Sequence, residues 1–183
     1  MANALTDPPF ANNPPVKLNI DAKILGLVLA ILAVIAAILT LFVGGLLSIF
    51  AFAGGFAFLW FIGVLVELVG EIFVAIGGFQ MFNLNRDGKR LLIYGLALAV
   101  VGRLIHLIGV LIAYSGVYAF GYTPAGDIVG FIIWVVIYFI LYYLVVISRF
   151  PGESPLAASG GYGGGYGGYG GPGSTPPPPP PSV

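Results

Sequence analysis

The chain has no cysteine, and that absence removes a disulfide framework, a thiolate nucleophile and a sulfur-bound metal together. It has a single histidine, so a histidine-built metal site has no second ligand of its kind. Charge is scarce as well: Asp, Glu, Lys and Arg make up 8% of the 183 residues and cancel to a formal net charge of +0. Nucleic acid and strongly acidic partners therefore find no electrostatic footprint here. No G-x-x-x-x-G-K-[ST] loop, strand-linked G-x-G-x-x-G or H-E-x-x-H occurs, and Ser48, Ser115 and Ser148 lack plausible His and Asp companions. No catalytic, cofactor-binding or metal-binding residue is assigned, and the chain does not read as an enzyme.

What is present is apolar. Hydrophobic residues make up 59% and the mean hydropathy is +1.04, so lipid is the solvent for most of the chain. Residues 1–22 form an arm with Asp7, Pro8, Pro9, Pro14 and Pro15 and no continuous apolar core, expected to be disordered. From Ile24 to Val66 there is no charge, a run too long for one crossing of roughly 20 residues. The glycine pairs Gly44-Gly45 and Gly54-Gly55 mark where it turns.

The spacing predicts four transmembrane helices within residues 23–149, at about 23–43, 56–82, 89–114 and 128–148. Residues 44–55 then form an apolar connection, either an extension of the first helix or an interfacial piece. Ser115 to Asp127 is a loop at a membrane surface. Lys17 and Lys23, then Arg86, Lys89 and Arg90, then Arg149 flank alternate ends of these helices, while the other two connections carry no lysine or arginine. The positive-inside rule places both termini in the cytoplasm, with the plasma membrane as the expected location.

Small residues line the predicted helix faces. On the first helix Gly26, Ala30, Ala33, Ala37, Thr40 and Gly44 recur at steps of four and three, a stripe that lets another helix approach closely in lipid. The same stripe either offers a route to homo-oligomers or is consumed inside the monomer. Gly63, Glu67, Gly70, Glu71, Val74 and Gly78 share a side of the second helix. Gly95, Ala99, Gly102, Arg103, His106 and Ala113 share an arc of the third. Trp134, Tyr138 and Tyr142 step by four on the last helix and read as packing and interfacial belt residues.

Glu67, Glu71, Arg103 and His106 are the ionisable residues set deep in apolar runs. Counting outward from Asp87 as the middle of the turn, Glu71 and Arg103 each stand 16 residues away, Glu67 stands 20 and His106 stands 19. At about 1.5 Å of rise per residue, Glu71 is expected level with Arg103 and Glu67 level with His106. An unpaired charge in hydrocarbon costs several kcal/mol, so the four form one charge cluster. It serves as a clamp fixing helix register, as a proton or ion relay, or as a polar site for a lipid head group or another membrane subunit.

Residues 150–183 are a low-complexity tail, Gly-Tyr-rich from Ser159 and ending in the proline run Pro176 to Pro181. Glycine makes the first part flexible, whereas the prolines favour a polyproline II rod that a proline-binding partner can dock. Four helices with both ends cytoplasmic and a Gly/Tyr/Pro-rich tail resemble the layout of tetraspan vesicle proteins and of some small prokaryotic and archaeal membrane proteins. The resemblance is one of layout, and no residue role follows from it. The sequence therefore predicts an all-α integral membrane four-helix bundle with a structural or scaffolding role, a subunit of a proton- or ion-coupled transporter or channel being the alternative.

Overall fold

The computed structural model describes residues 4–11, 14–16, 18–46, 58–114 and 124–153. The described residues are helical apart from turns and one isolated bridge, and four helices are long and apolar enough to cross a membrane. Helix α1 spans Ala22–Leu39 and runs on through a wide π turn over Thr40–Gly45. Helix α2 spans Phe58–Phe82, α3 Asp87–Tyr114 and α4 Ala125–Ile147. Residues 47–55 of the apolar connection, residues 115–123 and the Pro176–Pro181 rod lie outside the described residues. The starts of α1 and α3 differ from the predicted ones by one and two residues, because caps rather than apolar periodicity set them. Asp21 caps α1 through Lys23 N–H at 2.7 Å, and Asn85 Oδ1 accepts from Asp87 N–H at 3.0 Å to open α3.

The turn between α2 and α3 has a defined geometry. Asn85 N–H donates to Gln80 carbonyl at 2.9 Å and Leu84 N–H to Met81 carbonyl at 3.0 Å, the two bonds of a Schellman motif. Its left-handed position is occupied by Leu84 at φ 62°, where glycine is usual. A left-handed backbone costs an L-residue roughly 1–2 kcal/mol. Leu84→Gly is accordingly expected to stabilise the hairpin by about 1 kcal/mol, read as a rise in the thermal midpoint in detergent. A fall would mean that the half-exposed leucine contributes more by packing than its backbone costs.

Helices α2 and α3 make the most extensive pair, and glycine is the reason. Gly63, Gly70 and Gly77 recur every seven residues on α2, and Gly88, Gly95, Gly102 and Gly109 every seven on α3. Gly63 faces His106, Gly70 faces Ala99 and Gly77 faces Leu92, while Gly95, Gly102 and Gly109 face Val74, Glu67 and Trp60. A Cβ on Gly70 would stand 2.5 Å from the Ala99 nitrogen and 2.8 Å from the Gly95 carbonyl. The two backbones thus touch at successive levels of the seam, a closeness that gathers many dispersion contacts.

Helix α1 docks on the next face of α2. Gly78 lies against Gly26 and Ala30, and a Cβ on Gly44 would lie 3.5 Å from Val64. The small-residue stripe of α1 is thus turned toward α2 within one chain, with Ala30 and Ala33 buried. Helix α4 buries only Tyr138 and Val145–Ile147 among its helical residues and leans on α3 chiefly at its C-terminal end. There Lys89 Nζ donates to the carbonyls of Val146 at 2.7 Å and Ser148 at 3.0 Å.

The N-terminal arm, expected to be disordered, holds defined structure in its described residues. A 3-10 turn at Pro9–Ala11 sets Phe10 edge-on to Tyr142 at 6.1 Å. Tyr142 hydroxyl donates to Leu5 carbonyl at 2.8 Å, and Tyr143 hydroxyl donates to Val16 carbonyl at 2.9 Å. Tyr142 and Tyr143 thereby fasten the arm, and prolines that forbid a long helix still permit this short packed path. Ala22 N–H donates to Arg149 carbonyl at 2.8 Å and Arg149 N–H to Ile20 carbonyl at 2.9 Å. Lys23 lies over the Phe82 ring at 5.3 Å. These contacts gather Lys23, Lys89 and Arg149 at one end of the bundle, where Arg86 and Arg90 flank Lys89 in sequence.

Candidate functional site

Glu67 of α2 and Arg103 and His106 of α3 meet in the half of the bundle away from that basic end. Arg103 Nη2 lies 2.6 Å from Glu67 Oε1, and His106 Nδ1 lies 4.0 Å from Glu67 Oε2. Glu67 is 2% exposed and Glu71 4%. The Arg103 and His106 side chains keep about a quarter of their surface exposed. Gly102 is what lets the pair form: with no side chain there, the α3 backbone lies directly on Glu67, and Arg103 starts one residue away.

The expected level pairing of Glu71 with Arg103 is corrected by this geometry. Arg103 takes Glu67, one helical turn further from the hairpin turn. The physical cause is the position of the turn: α2 continues to Phe82 and α3 begins at Asp87, so the hairpin is centred between Leu84 and Asn85, not at Asp87. Moving the centre by two to three residues moves the facing position on α3 by about five, more than one turn. The companion expectation, Glu67 level with His106, is corrected in the same way: Gly63 lies opposite the His106 backbone, and the His106 side chain comes to Glu67 only at 4.0 Å.

Glu71 is engaged elsewhere. Its Oε1 accepts the Thr40 hydroxyl of α1 at 2.9 Å. The sequence places Thr40 in the small-residue stripe, but its hydroxyl makes it the polar member that reaches α2. Two tryptophans enclose Arg103 and His106. The Arg103 guanidinium lies over the Trp134 ring at 4.7 Å, and His106 stacks on Trp60 at 5.6 Å with 17° between planes. Neither tryptophan is recognisable as a partner from periodicity, because each contact crosses between helices.

Beside this cluster a cleft of 170 Å³ opens between α3 and α4, lined by Arg103, His106, Asp127, Gly130, Phe131 and Trp134 among others. A Cβ added at Gly126 or Gly130 would meet nothing within 4 Å, unlike one added at the seam glycines. The cluster is therefore sealed by backbone on the α2 side and open toward α4. Of the predicted packing residues, Gly63, Gly70, Gly95, Ala99 and Gly102 lie in the α2–α3 seam, Gly26 and Ala30 lie in the α1–α2 contact, Ala33 is buried and Ala37 is half-buried. Gly77, Gly88 and Gly109 belong to the seam too, and the seven-residue spacing would have found them. Compared with protein-family models, curated proteins and solved structures, the chain matches none.

Proposed function

We propose that this is a multi-pass membrane protein with a structural or scaffolding role, both termini cytoplasmic and the Pro176–Pro181 tail offered to partners. The observation that carries the reading is the closed α2–α3 seam. Between the Glu67–Arg103 pair and the basic end, Gly70 lies on Ala99, Gly77 on Leu92 and Gly88 on Met81, backbone against backbone. No water or ion fits along a seam of that closeness, so the ion pair acts as a clamp on helix register rather than as a station in a path between these two helices. Gathering of the basic residues at one end supports the assigned orientation through the positive-inside rule.

A second reading, a subunit of a proton- or ion-coupled transporter, draws on the cleft that exposes Arg103 and His106 toward α4. The two readings separate in liposomes. With purified full-length protein under an imposed pH gradient, the scaffold predicts an internal-pH trace equal to that of empty vesicles at neutral and acidic pH. A protein-dependent flux that Glu71→Gln removes without loss of folded protein would replace the scaffold by the transporter.

A further inference from the structure

We propose that Glu71 is a proton-binding site, a carboxylic acid held neutral in the seam between α1 and α2 and separate from the Glu67–Arg103 clamp. Its side chain is 4% exposed, and while Oε1 accepts the Thr40 hydroxyl, Oε2 is buried without a hydrogen-bond partner among the described residues. A carboxylate in that position would be a charge in hydrocarbon with one weak donor to solvate it, and a buried acid so placed neutralises instead.

The compensating cation is already committed. Arg103 is the one arginine at this depth, and its guanidinium is on Glu67 at 2.6 Å. The ionisable groups around Glu71 are Glu67 on its own helix, Arg103 and His106 from α3, and Tyr138 from α4, whose hydroxyl lies within electrostatic reach of Glu67, Glu71 and Arg103. Glu67 and Arg103 cancel, and His106 lies against Glu67 and Trp60. Helix α1 adds only the neutral Thr40 hydroxyl. A hard metal cation wants about six or more oxygen ligands, far more than one carboxylate and one hydroxyl, so the ligand that fits is the proton.

The backbone supplies an independent observation at the same place. The π turn of α1 begins at Thr40 and runs to Gly45, so the helix widens where its hydroxyl meets Glu71. Such widened turns recur at functional positions within helices. The neutral acid lets this wide turn lie on α2, with Gly44 beside Val64; losing the proton places a bare charge in the contact. Proton occupancy of Glu71 thereby governs docking of the upper part of α1, a role the scaffold reading does not require.

Infrared difference spectroscopy on full-length protein in vesicles, titrated from about pH 5 to about pH 9, tests this. At neutral pH a protonated-carboxyl stretch is expected that Glu71→Gln abolishes and that fades as pH rises. Thr40→Val should move the band to higher frequency by removing its hydrogen bond. In Glu67→Gln the band should vanish, because Glu71 then ionises to neutralise Arg103. Absence of a Glu71-dependent band at neutral pH, or an unmoved band in Thr40→Val, overturns the proposal. These readouts register the proton whether or not the vesicle experiment detects a flux.

Discussion

Gly102→Ala is expected to lose most of the folded protein, whereas Gly130→Ala, the same change on α4, should leave it intact. A Cβ at Gly102 would stand 2.7 Å from the Glu67 Cα and 2.9 Å from the Gly63 carbonyl. Both are main-chain atoms of a continuous helix and cannot rotate aside. The helices must part at that level, and parting them also separates Arg103 from Glu67, whose 2.6 Å contact depends on the closeness. Overpacking commonly costs about 1–3 kcal/mol, and a backbone clash that also opens a buried ion pair belongs at or above the top of that range. Against a typical stability of about 5–15 kcal/mol this is a large fraction. At Gly130 a Cβ meets nothing within 4 Å. Thermal midpoints and the monodisperse fraction in detergent measure both variants, and equal values for the two would refute backbone contact in the seam.

Arg103→Leu should destabilise the protein by about 3–5 kcal/mol, the usual cost of leaving one member of a buried pair without the other. Here the orphan is Glu67, 2% exposed and within a helix long and apolar enough to cross a membrane. The charge exchange Glu67→Arg with Arg103→Glu should restore part of the loss, since it keeps the opposite charges in contact. The parallel exchange Glu71→Arg with Arg103→Glu should not, because it installs a cation beside Thr40 and sets two acids against each other at the Glu67 level. Recovery of folded protein by the second exchange and not the first would return the pairing to Glu71 and Arg103 and place the hairpin's centre back at Asp87.

The contrast between those exchanges shows what the residues disclose on their own. Four apolar runs, their polarity on α2 and α3 and the collection of basic residues at one end follow from composition, periodicity and the rise of a helix. The partner of each acid does not, because it depends on where the turn is centred, and a Schellman motif built on Leu84 carries no glycine to announce itself. Placing Gly78 with Gly63 and Gly70 hid a division of labour: Gly78 faces Gly26 and Ala30 of α1, while Gly77 carries the seam with α3. Thr40, Trp60 and Trp134 reach the charged residues from other helices, and contacts between segments far apart in sequence leave no local pattern. The N-terminal arm is a similar case, its path decided by hydroxyls of Tyr142 and Tyr143 on the last helix.

The main-chain tie of Ile20 and Ala22 to Arg149 bears on the order of assembly. Helices α2 and α3 are joined by a four-residue turn and can zip together as soon as both have left the ribosome, whereas the tie joins segments separated by nearly the whole bundle. It cannot form until α4 has been synthesised, so the N-terminal arm waits while α1 can already lie on α2 and the glycine hairpin is complete. The last bonds to be made are those that close the ring.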